Sequence, residues 1–138
     1  MILLKKSSAG SDHLLLVAAS LGAFEIEIEI AFFGGSFTGI DRGLLVSLCA
    51  LGKEYTDMGG VGSLRCSTRP DYINGEILDL LVSYGFEAVE LGVQSADDAV
   101  LSLCKRGHCV ADTERACRLI RERGLRLGGQ MMIGLPGS

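Results

Sequence analysis

The stretch AFFGGSFTG, residues 31–39, joins an apolar segment to a turn that contains three glycines. The residues before it, EIEIEI at 25–30, alternate strictly, whereas IAFF is apolar on both faces. This pattern predicts a β-strand over residues 25–33 that is half exposed where it starts and buried where it ends. Gly34 and Gly35 end the strand and allow a ligand to approach the backbone, whose carbonyl groups can receive an ammonium group. The stretch therefore predicts a buried strand that runs into a ligand-binding turn.

Segments of helical and strand type alternate along the rest of the chain. Capping residues and glycine stops predict the helices, and short apolar runs predict the strands. Helices are expected at residues 42–51, 75–84, from about Asp97 to Arg106, and at 113–123, and strands at 63–68, 88–93 and 127–133. Asn74 and Asp112 are expected to cap helices, and Gly52 to end one. The alternation predicts parallel βαβ units, arranged either as a small doubly wound domain or as part of a (β/α) barrel.

The first 24 residues differ in character from the rest. A basic start followed by LLLVAASL is typical of a signal peptide, but Asp12 and His13 interrupt it. A buried helix at residues 11–21 is therefore the favoured interpretation. No segment reaches the ~18–20 consecutive apolar residues that a membrane span needs.

Composition indicates one folded domain. The 138 residues are 48% apolar and 22% charged, and the net charge of −4 argues against a strong nucleic-acid footprint across the whole chain. The arginines at 115–126 are interpreted first as a solvated helix face. Five scattered cysteines, none in a CxxC pair, indicate a reducing cytoplasmic location and not a disulfide framework.

Polar or glycine-rich groups follow or end each predicted strand. In parallel α/β folds a ligand site lies at the carboxyl ends of the strands, so these groups are expected on one rim. They are Gly34-Gly35-Ser36, Ser67-Thr68-Arg69, Gln94-Ser95, and Gln130 with Gly134. A phosphate loop is a poor interpretation of the first group, because Ile40 and Asp41 replace the lysine and the hydroxyl residue that such a loop uses.

Three polar side chains lie within or beside the predicted strands and need partners, and His108 follows a predicted helix. Gln94 and Gln130 stand where a strand should be apolar, and a buried amide without partners costs roughly 1–3 kcal/mol. Each is therefore either a satisfied core amide or a contact to a small polar ligand. Glu90 is expected to pair with an arginine, with Arg69 and Arg106 as the nearest candidates. His108 is either a base or, as the favoured interpretation, a solvated residue after a helix end.

Four motifs together resemble the radical S-adenosylmethionine (SAM) enzymes. In order they are AFFGGSFTG, RCSTRPDYI, VELGVQSADDAVLSLCKRGH and GGQMMIGLPG. Within that superfamily they are similar to the branch of the Elongator catalytic subunit and its bacterial relatives, and also to oxygen-independent coproporphyrinogen III oxidases. The resemblance covers about residues 30–138.

The resemblance implies a partial (β/α) barrel of about four parallel strand–helix units, a fragment of a (β/α)6 barrel that carries SAM and a 4Fe-4S cluster. It implies one domain over residues 1–138, with a divergent N-terminal helix region at 1–24 and a barrel core at 25–138. Gly34, Gly35 and Ser36 match the motif that receives the amino group of SAM. Ser67 matches a polar contact to SAM, Gln94 and Arg106 match a pair that reaches its ribose and carboxylate, and Gln130 matches a ribose contact.

The chain departs from the family at the cluster ligands. The family holds its cluster with three cysteines in a CxxxCxxC-type loop, and that loop is absent from this sequence. The chain's own cysteines are expected on other segments: Cys66 on a strand, Cys49, Cys104 and Cys117 on helices, and Cys109 in a loop. A cluster needs thiolates that converge on one corner. We therefore assign no metal ligand and no catalytic residue, and expect a domain truncated at both ends.

The sequence thus predicts a fragment of a radical SAM enzyme whose intact relatives modify the wobble uridine of tRNA through a 5′-deoxyadenosyl radical. One alternative is a non-catalytic α/β module that binds an adenosine-type ligand or a partner chain. Another is a radical SAM enzyme of a different substrate class, such as a porphyrinogen. The partners expected are tRNA in the intact relative, no membrane, and a second copy through the edge of the strand at 26–33, which is expected to be exposed.

Overall fold

The computed structural model describes residues 2–3, 15–21 and 26–138. One six-stranded sheet contains all the described strands, in the same order as in the sequence. They are β1 (Ile2–Leu3), β2 (Leu15–Leu21), β3 (Ile26–Phe32), β4 (Ser63–Thr68), β5 (Phe86–Gln94) and β6 (Arg126–Met131). Strands β3 to β6 are parallel, whereas β1 and β2 pair antiparallel at one side of the sheet.

Helices connect the parallel strands. They are α1 (Arg42–Asp57), α2 (Gly75–Ser83), α3 (Asp98–Leu103) and α4 (Val110–Glu122), with short 3-10 helices at Phe37–Gly39 and Pro70–Tyr72. Within the described ranges, no helix is long and apolar enough to cross a lipid bilayer. The alternation predicted for residues 25–138 is therefore confirmed.

The hydrophobic core lies on one face of the sheet. Alternate residues of β4, such as Leu64 and Cys66, are buried there against α1, α2 and α4, with Leu45, Leu78 and Ile120 as examples of the helical side. A doubly wound domain would place helices on both faces, whereas a barrel places them on the outer face only. The arrangement is thus that of a partial (β/α) barrel with four parallel strands, as the resemblance implied.

The N-terminal segment is folded differently from the prediction. Residues Leu15–Leu21 form a strand in antiparallel register with β3, with Val17 opposite Ile30. The predicted helix at 11–21 is therefore wrong for residues 15–21, and its first four residues lie outside the described part. Short apolar runs suit a buried strand as well as a buried helix, and here pairing with β3 decides between them. Because β2 pairs with that side of β3, the edge at residues 26–33 is not exposed as expected. The structure therefore gives no support for self-association through this strand.

Helix α1 continues past its predicted end. Gly52, the expected stop, lies inside the helix and is buried. A Cβ atom at this position would lie 3.2 Å from the Leu64 Cδ1 atom and from the Phe32 Cζ atom. The glycine therefore serves close packing between α1 and the sheet. Of the other elements, β4 has its predicted bounds and the rest differ at their ends.

The N-terminus of α4 also differs from its prediction. The helix starts at Val110, so its N-cap is Cys109 and not Asp112. Asp112 lies in the first turn, where its carboxylate accepts a hydrogen bond from the Cys109 backbone N–H at 3.0 Å. The predicted cap at Asn74 is confirmed, since its side chain accepts from the Ile77 N–H.

The carboxylate of Asp112 makes part of the fold's stability dependent on pH. Its hydrogen bonds, first that from the Cys109 backbone, lower its pKa from 3.8 to about 2. The folded pKa lies below the unfolded value, so the stabilisation is complete above pH 3.8 and is lost as the pH falls towards 2. We therefore expect Asp112→Asn to lower the midpoint of thermal unfolding near neutral pH. The difference in midpoint between the variant and the parent should become smaller in acid. Glu114→Gln, exposed on the same helix, is the control; a difference constant with pH would contradict the assignment.

Candidate functional site

The predicted rim residues lie at one end of the sheet. Because β3 to β6 are parallel and Thr68 is in register with Leu91, the strands terminate on the same side. We call this side the carboxyl end of the sheet. Gly34, Gly35 and Ser36 follow β3 there, Ser67 and Gln130 are the penultimate residues of β4 and β6, and Gln94 ends β5. Arg106 lies in the loop between α3 and α4.

The glycine turn after β3 combines an exposed backbone with a buried anchor. Gly34 and Gly35 have φ angles of 109° and 86°, a region that favours glycine. A Cβ atom at Gly35 would meet nothing within 4 Å among the described atoms, so the backbone there is open. Phe37 is buried, and its ring lies 4.7 Å from that of Phe32. The Thr38 hydroxyl lies 2.6 Å from that of Thr68, which ties the turn to β4.

Gln94 has a strained backbone. Its φ angle is 68°, and the Ser95 N–H donates a hydrogen bond to the Val93 carbonyl oxygen at 2.8 Å. A γ-turn with positive φ is the rare form, and strain of this kind is concentrated at functional sites. The residue is only 9% exposed, and its side chain makes no hydrogen bond to any residue that the structure describes. The amide predicted to need a partner is thus buried and still available to a ligand.

His108 holds this turn in place. The residue is 7% exposed, and its Nε2 atom lies 3.2 Å from the Val93 carbonyl oxygen. Because a carbonyl oxygen only accepts, Nε2 donates, and Nδ1 has no partner within the described residues. The prediction of a solvated residue is therefore wrong. No local pattern predicts this contact, because it joins a loop to a strand residue fifteen positions earlier.

Arg106 is next to this contact and has an unsatisfied donor. Its Nε atom is buried without a hydrogen-bond partner in the described part of the chain. The loop borders a cavity of about 430 Å³, which is lined by Leu101, Lys105, Arg106, His108 and Cys109 among others. A buried guanidinium nitrogen is costly to leave unpaired, so an acceptor from a ligand would complete it.

Arg69 connects the loop between α3 and α4, which we call the 105–109 loop, to the end of β4. Its guanidinium donates two hydrogen bonds to Asp71, at 3.0 and 2.7 Å, and lies 5.0 Å from the centre of the Tyr72 ring. Gly107 has a φ angle of 79°, and a Cβ atom there would be only 2.6 Å from the Arg69 Nη2 atom, so a larger residue would be strained and would displace the Arg69 side chain. Contacts therefore run along the carboxyl end of the sheet from the glycine turn through β4 and the 105–109 loop to β5.

Glu90 is the centre of a second network, on the face of the sheet opposite the core. Arg65 donates to its Oε1 atom at 2.6 Å, and Ser67 and Gln130 donate to its Oε2 atom, each at 3.1 Å. The predicted partners, Arg69 and Arg106, are wrong. Arg65 is the partner because the register pairs Ser67 with Glu90 and alternation brings Arg65 to the same face. Gln130 is exposed and satisfied by Glu90, so it is not a core amide.

The cysteines do not suit an iron–sulfur cluster. Cys66 lies in β4, Cys49 and Cys117 lie in helices, Cys104 directly follows α3, and Cys109 precedes α4. Burial raises the pKa of Cys49 to about 12 and also raises that of Cys66, so both remain thiols. Cluster ligands are thiolates. Among the described residues, no three His, Cys, Asp or Glu side chains converge as metal ligands would.

The chain belongs to the Radical SAM superfamily, whose sequence profile matches residues 12–138. Within it the relatives include the tRNA uridine(34) acetyltransferase of Methanocaldococcus infernus, 43% identical over 91% of this chain and 24% of that protein. The Methanocaldococcus jannaschii protein of the same name is 41% identical over the same shares. Elongator complex protein 3 of Saccharomyces cerevisiae is 31% identical over 82% of this chain and 19% of its own length. The resemblance to the Elongator branch is therefore confirmed.

Solved structures agree with this assignment. The archaeal Methanocaldococcus infernus Elp3 with an N-terminal deletion superposes with a TM-score of 0.69 at 29% identity, over 80% of this chain and 30% of that one. The radical SAM methyltransferase TsrM from Kitasatospora setae gives 0.62 at 22% identity over 78% and 22%, which supports the fold alone. The chain spans about a quarter of the length of the two archaeal acetyltransferases.

Proposed function

We propose that this chain binds S-adenosylmethionine at the carboxyl end of its sheet. One observation carries the proposal: Arg106 keeps a buried Nε atom with no hydrogen-bond partner among the described residues, in a loop that His108 fastens to the strained turn at Gln94. The strained backbone of Gln94 and the unpaired donor of Arg106 both cost free energy. A ligand that binds to the Gln94 amide and accepts a hydrogen bond from Arg106 would offset this cost. The residues proposed to contact SAM are Gly34, Gly35, Ser36, Ser67, Gln94, Arg106 and Gln130.

The chemistry of SAM matches these groups. Its methionine part carries an ammonium and a carboxylate, and its ribose carries two hydroxyls. The open backbone carbonyl groups of the glycine turn suit the ammonium, and the Arg106 guanidinium suits the carboxylate. The amides of Gln94 and Gln130 suit the ribose. When bound, SAM would supply a sulfonium group that a one-electron reductant can cleave.

Radical formation is not the part of the reaction that we assign to these residues. The cysteines of the chain do not fit a 4Fe-4S cluster, because Cys49 and Cys66 are buried thiols and the others are on separate segments. We therefore assign to this chain the binding and orientation of SAM. The same observation favours a second candidate function, a non-catalytic module that binds an adenosine-type ligand through the same rim.

For the whole protein we propose action on uridine 34 of tRNA. The proposal rests on the names of the two archaeal relatives, which match 91% of this chain, and these names favour tRNA over a porphyrinogen. A cytoplasmic location belongs to the same proposal, since all five cysteines are free, as expected in a reducing compartment.

Calorimetry with SAM and with decarboxylated SAM tests the proposed binding. We expect the parent protein to bind SAM more tightly than decarboxylated SAM, because only SAM offers a carboxylate to Arg106. A charge-assisted hydrogen bond is worth about 1.5–3 kcal/mol, so Arg106→Ala should weaken SAM binding about 10- to 100-fold and remove the preference. Arg118→Ala, at an exposed position of α4, should leave both affinities unchanged.

Two outcomes would contradict this assignment. If SAM gives no binding heat at millimolar concentration, the chain is not a SAM-binding module. If SAM binds but Arg106→Ala keeps its preference over decarboxylated SAM, Arg106 is not the carboxylate contact.

A further inference from the structure

We infer that Glu90 fixes the hydrogen-bond polarity of the site, so that Ser67 and Gln130 present acceptors to the ligand. The inference rests on the proposed SAM site and adds which hydrogen-bonding groups of a ligand that site prefers. Groups that face the Ser67 hydroxyl and the Gln130 Oε1 atom must then be donors, such as ribose hydroxyls or an ammonium. Acceptor-only groups, such as the phosphates of a nucleotide, are disfavoured there.

The polarity follows from what a carboxylate can do. The Oε2 atom of Glu90 lies 3.1 Å from both the Ser67 hydroxyl and the Gln130 Nε2 atom. An ionised carboxylate has no hydrogen to donate, so both neighbours must donate to it. The Ser67 hydroxyl then keeps only lone pairs for a ligand. The planar Gln130 amide, with its nitrogen towards Glu90, turns its Oε1 atom away from Glu90 as a free acceptor.

Arg65 fixes the carboxylate itself. Its Nη1 atom lies 2.6 Å from the Glu90 Oε1 atom, and its Nε atom lies 3.2 Å from the Glu29 Oε2 atom. The Glu90 and Arg65 side chains are only 21% and 26% exposed, so water screens the pair weakly. One oxygen of Glu90 is thus held by Arg65, and the other is left to Ser67 and Gln130.

Glu90→Gln should invert this arrangement. Arg65 donates only, so the new amide must turn its oxygen to Arg65 and its nitrogen to the former Oε2 position. That nitrogen would donate to Ser67 and to a flipped Gln130. The ligand would then meet donors where the parent presents acceptors. Glu87→Gln is the matched control, because Glu87 is on the same strand, is exposed and contacts only Arg126 among the described residues.

The first test uses the ligand-free protein. The Gln130 side-chain NH2 resonances, identified by their loss in Gln130→Leu, should shift and exchange faster with water in Glu90→Gln. They should be unchanged in Glu87→Gln. Unchanged resonances in folded Glu90→Gln would overturn the inference, whether or not SAM binds. If Glu90→Gln does not fold, the binding test below, which uses Gln130→Leu at an exposed position, takes the place of this one.

The second test compares SAM with analogues that lack the 2′- or the 3′-hydroxyl. The parent should bind one of them roughly 10-fold more weakly, since a donor is lost and an acceptor is left unpaired. In Gln130→Leu this preference should shrink to less than about 2-fold, while Glu87→Gln keeps it. If the parent binds all three ligands equally, the inference fails and the proposed function stands. If the parent binds no SAM, the proposed function fails, and the NMR test still decides the role of Glu90.

Discussion

Phe37→Ala is expected to lower the free energy of unfolding by about 3–5 kcal/mol, the usual range for truncation of a buried phenylalanine. The Phe37 ring is buried between Phe32 and Phe86, whose ring centres lie 4.7 and 5.9 Å away. Domains of this size are stable by about 5–15 kcal/mol, so the loss is a large share of the total. Urea unfolding followed by circular dichroism measures it.

Tyr55→Ala is the matched control for Phe37→Ala. Tyr55 is an aromatic residue at an exposed position of α1, 39% exposed, so its truncation should cost less than about 1 kcal/mol. Phe37 directly follows the glycine turn, so its loss should also loosen Gly34 and Gly35 and raise their amide exchange rates. A cost below about 1 kcal/mol for Phe37→Ala would show that the aromatic cluster does not anchor the turn.

The parallel strands could be predicted because their signals are local. Residues 63–68 are bounded by a glycine-rich turn and by Arg69-Pro70, and β4 has the predicted bounds. The rim could be predicted for the same reason. Once strands and helices alternate, parallel order follows, and every strand must end on the same side of the sheet. The positions of Gly34, Ser67, Gln94 and Gln130 at that end needed no knowledge of side-chain packing.

Features that depend on tertiary pairing could not be predicted. LLVAASL at Leu15–Leu21 suits a helix or a strand, and antiparallel pairing with β3 decides the outcome. Gly52 is a plausible helix stop by local rules. In the structure it lies inside α1, where the absence of a side chain lets the helix pack closely against Leu64 and Phe32.

Side-chain networks at the site were missed for a related reason. The pair between Arg65 and Glu90 follows from the register of β4 on β5, which the sequence does not contain. His108 contacts the Val93 carbonyl oxygen only because the 105–109 loop folds back over the end of β5. The sequence therefore identified candidate contacts to a ligand, and the structure was needed for the residues that orient them.

Gln94→Gly is expected to move stability and SAM affinity in opposite directions. A non-glycine residue with φ of 68° is strained by about 1–3 kcal/mol, and glycine relieves that strain at an entropic cost of about 0.5–1 kcal/mol. The variant should therefore be as stable as the parent or up to about 2.5 kcal/mol more stable. SAM binding should weaken about 30-fold, because the amide contact and the rigidity of the turn are both lost. Urea unfolding and calorimetry on the same samples measure the two effects.

Lys105→Gly separates relief of strain from loss of the ligand contact. Lys105 is the other non-glycine residue with positive φ, at 52°, in the part of the chain that the structure describes, and it is exposed. Its replacement should give a similar gain in stability with little change in SAM affinity, because we assign its side chain no contact to SAM. Equal losses of SAM affinity in both variants would mean that any change of backbone strain near the 105–109 loop disturbs the site. A loss confined to Gln94→Gly would assign the effect to the Gln94 amide and its turn and not to a general change of backbone strain.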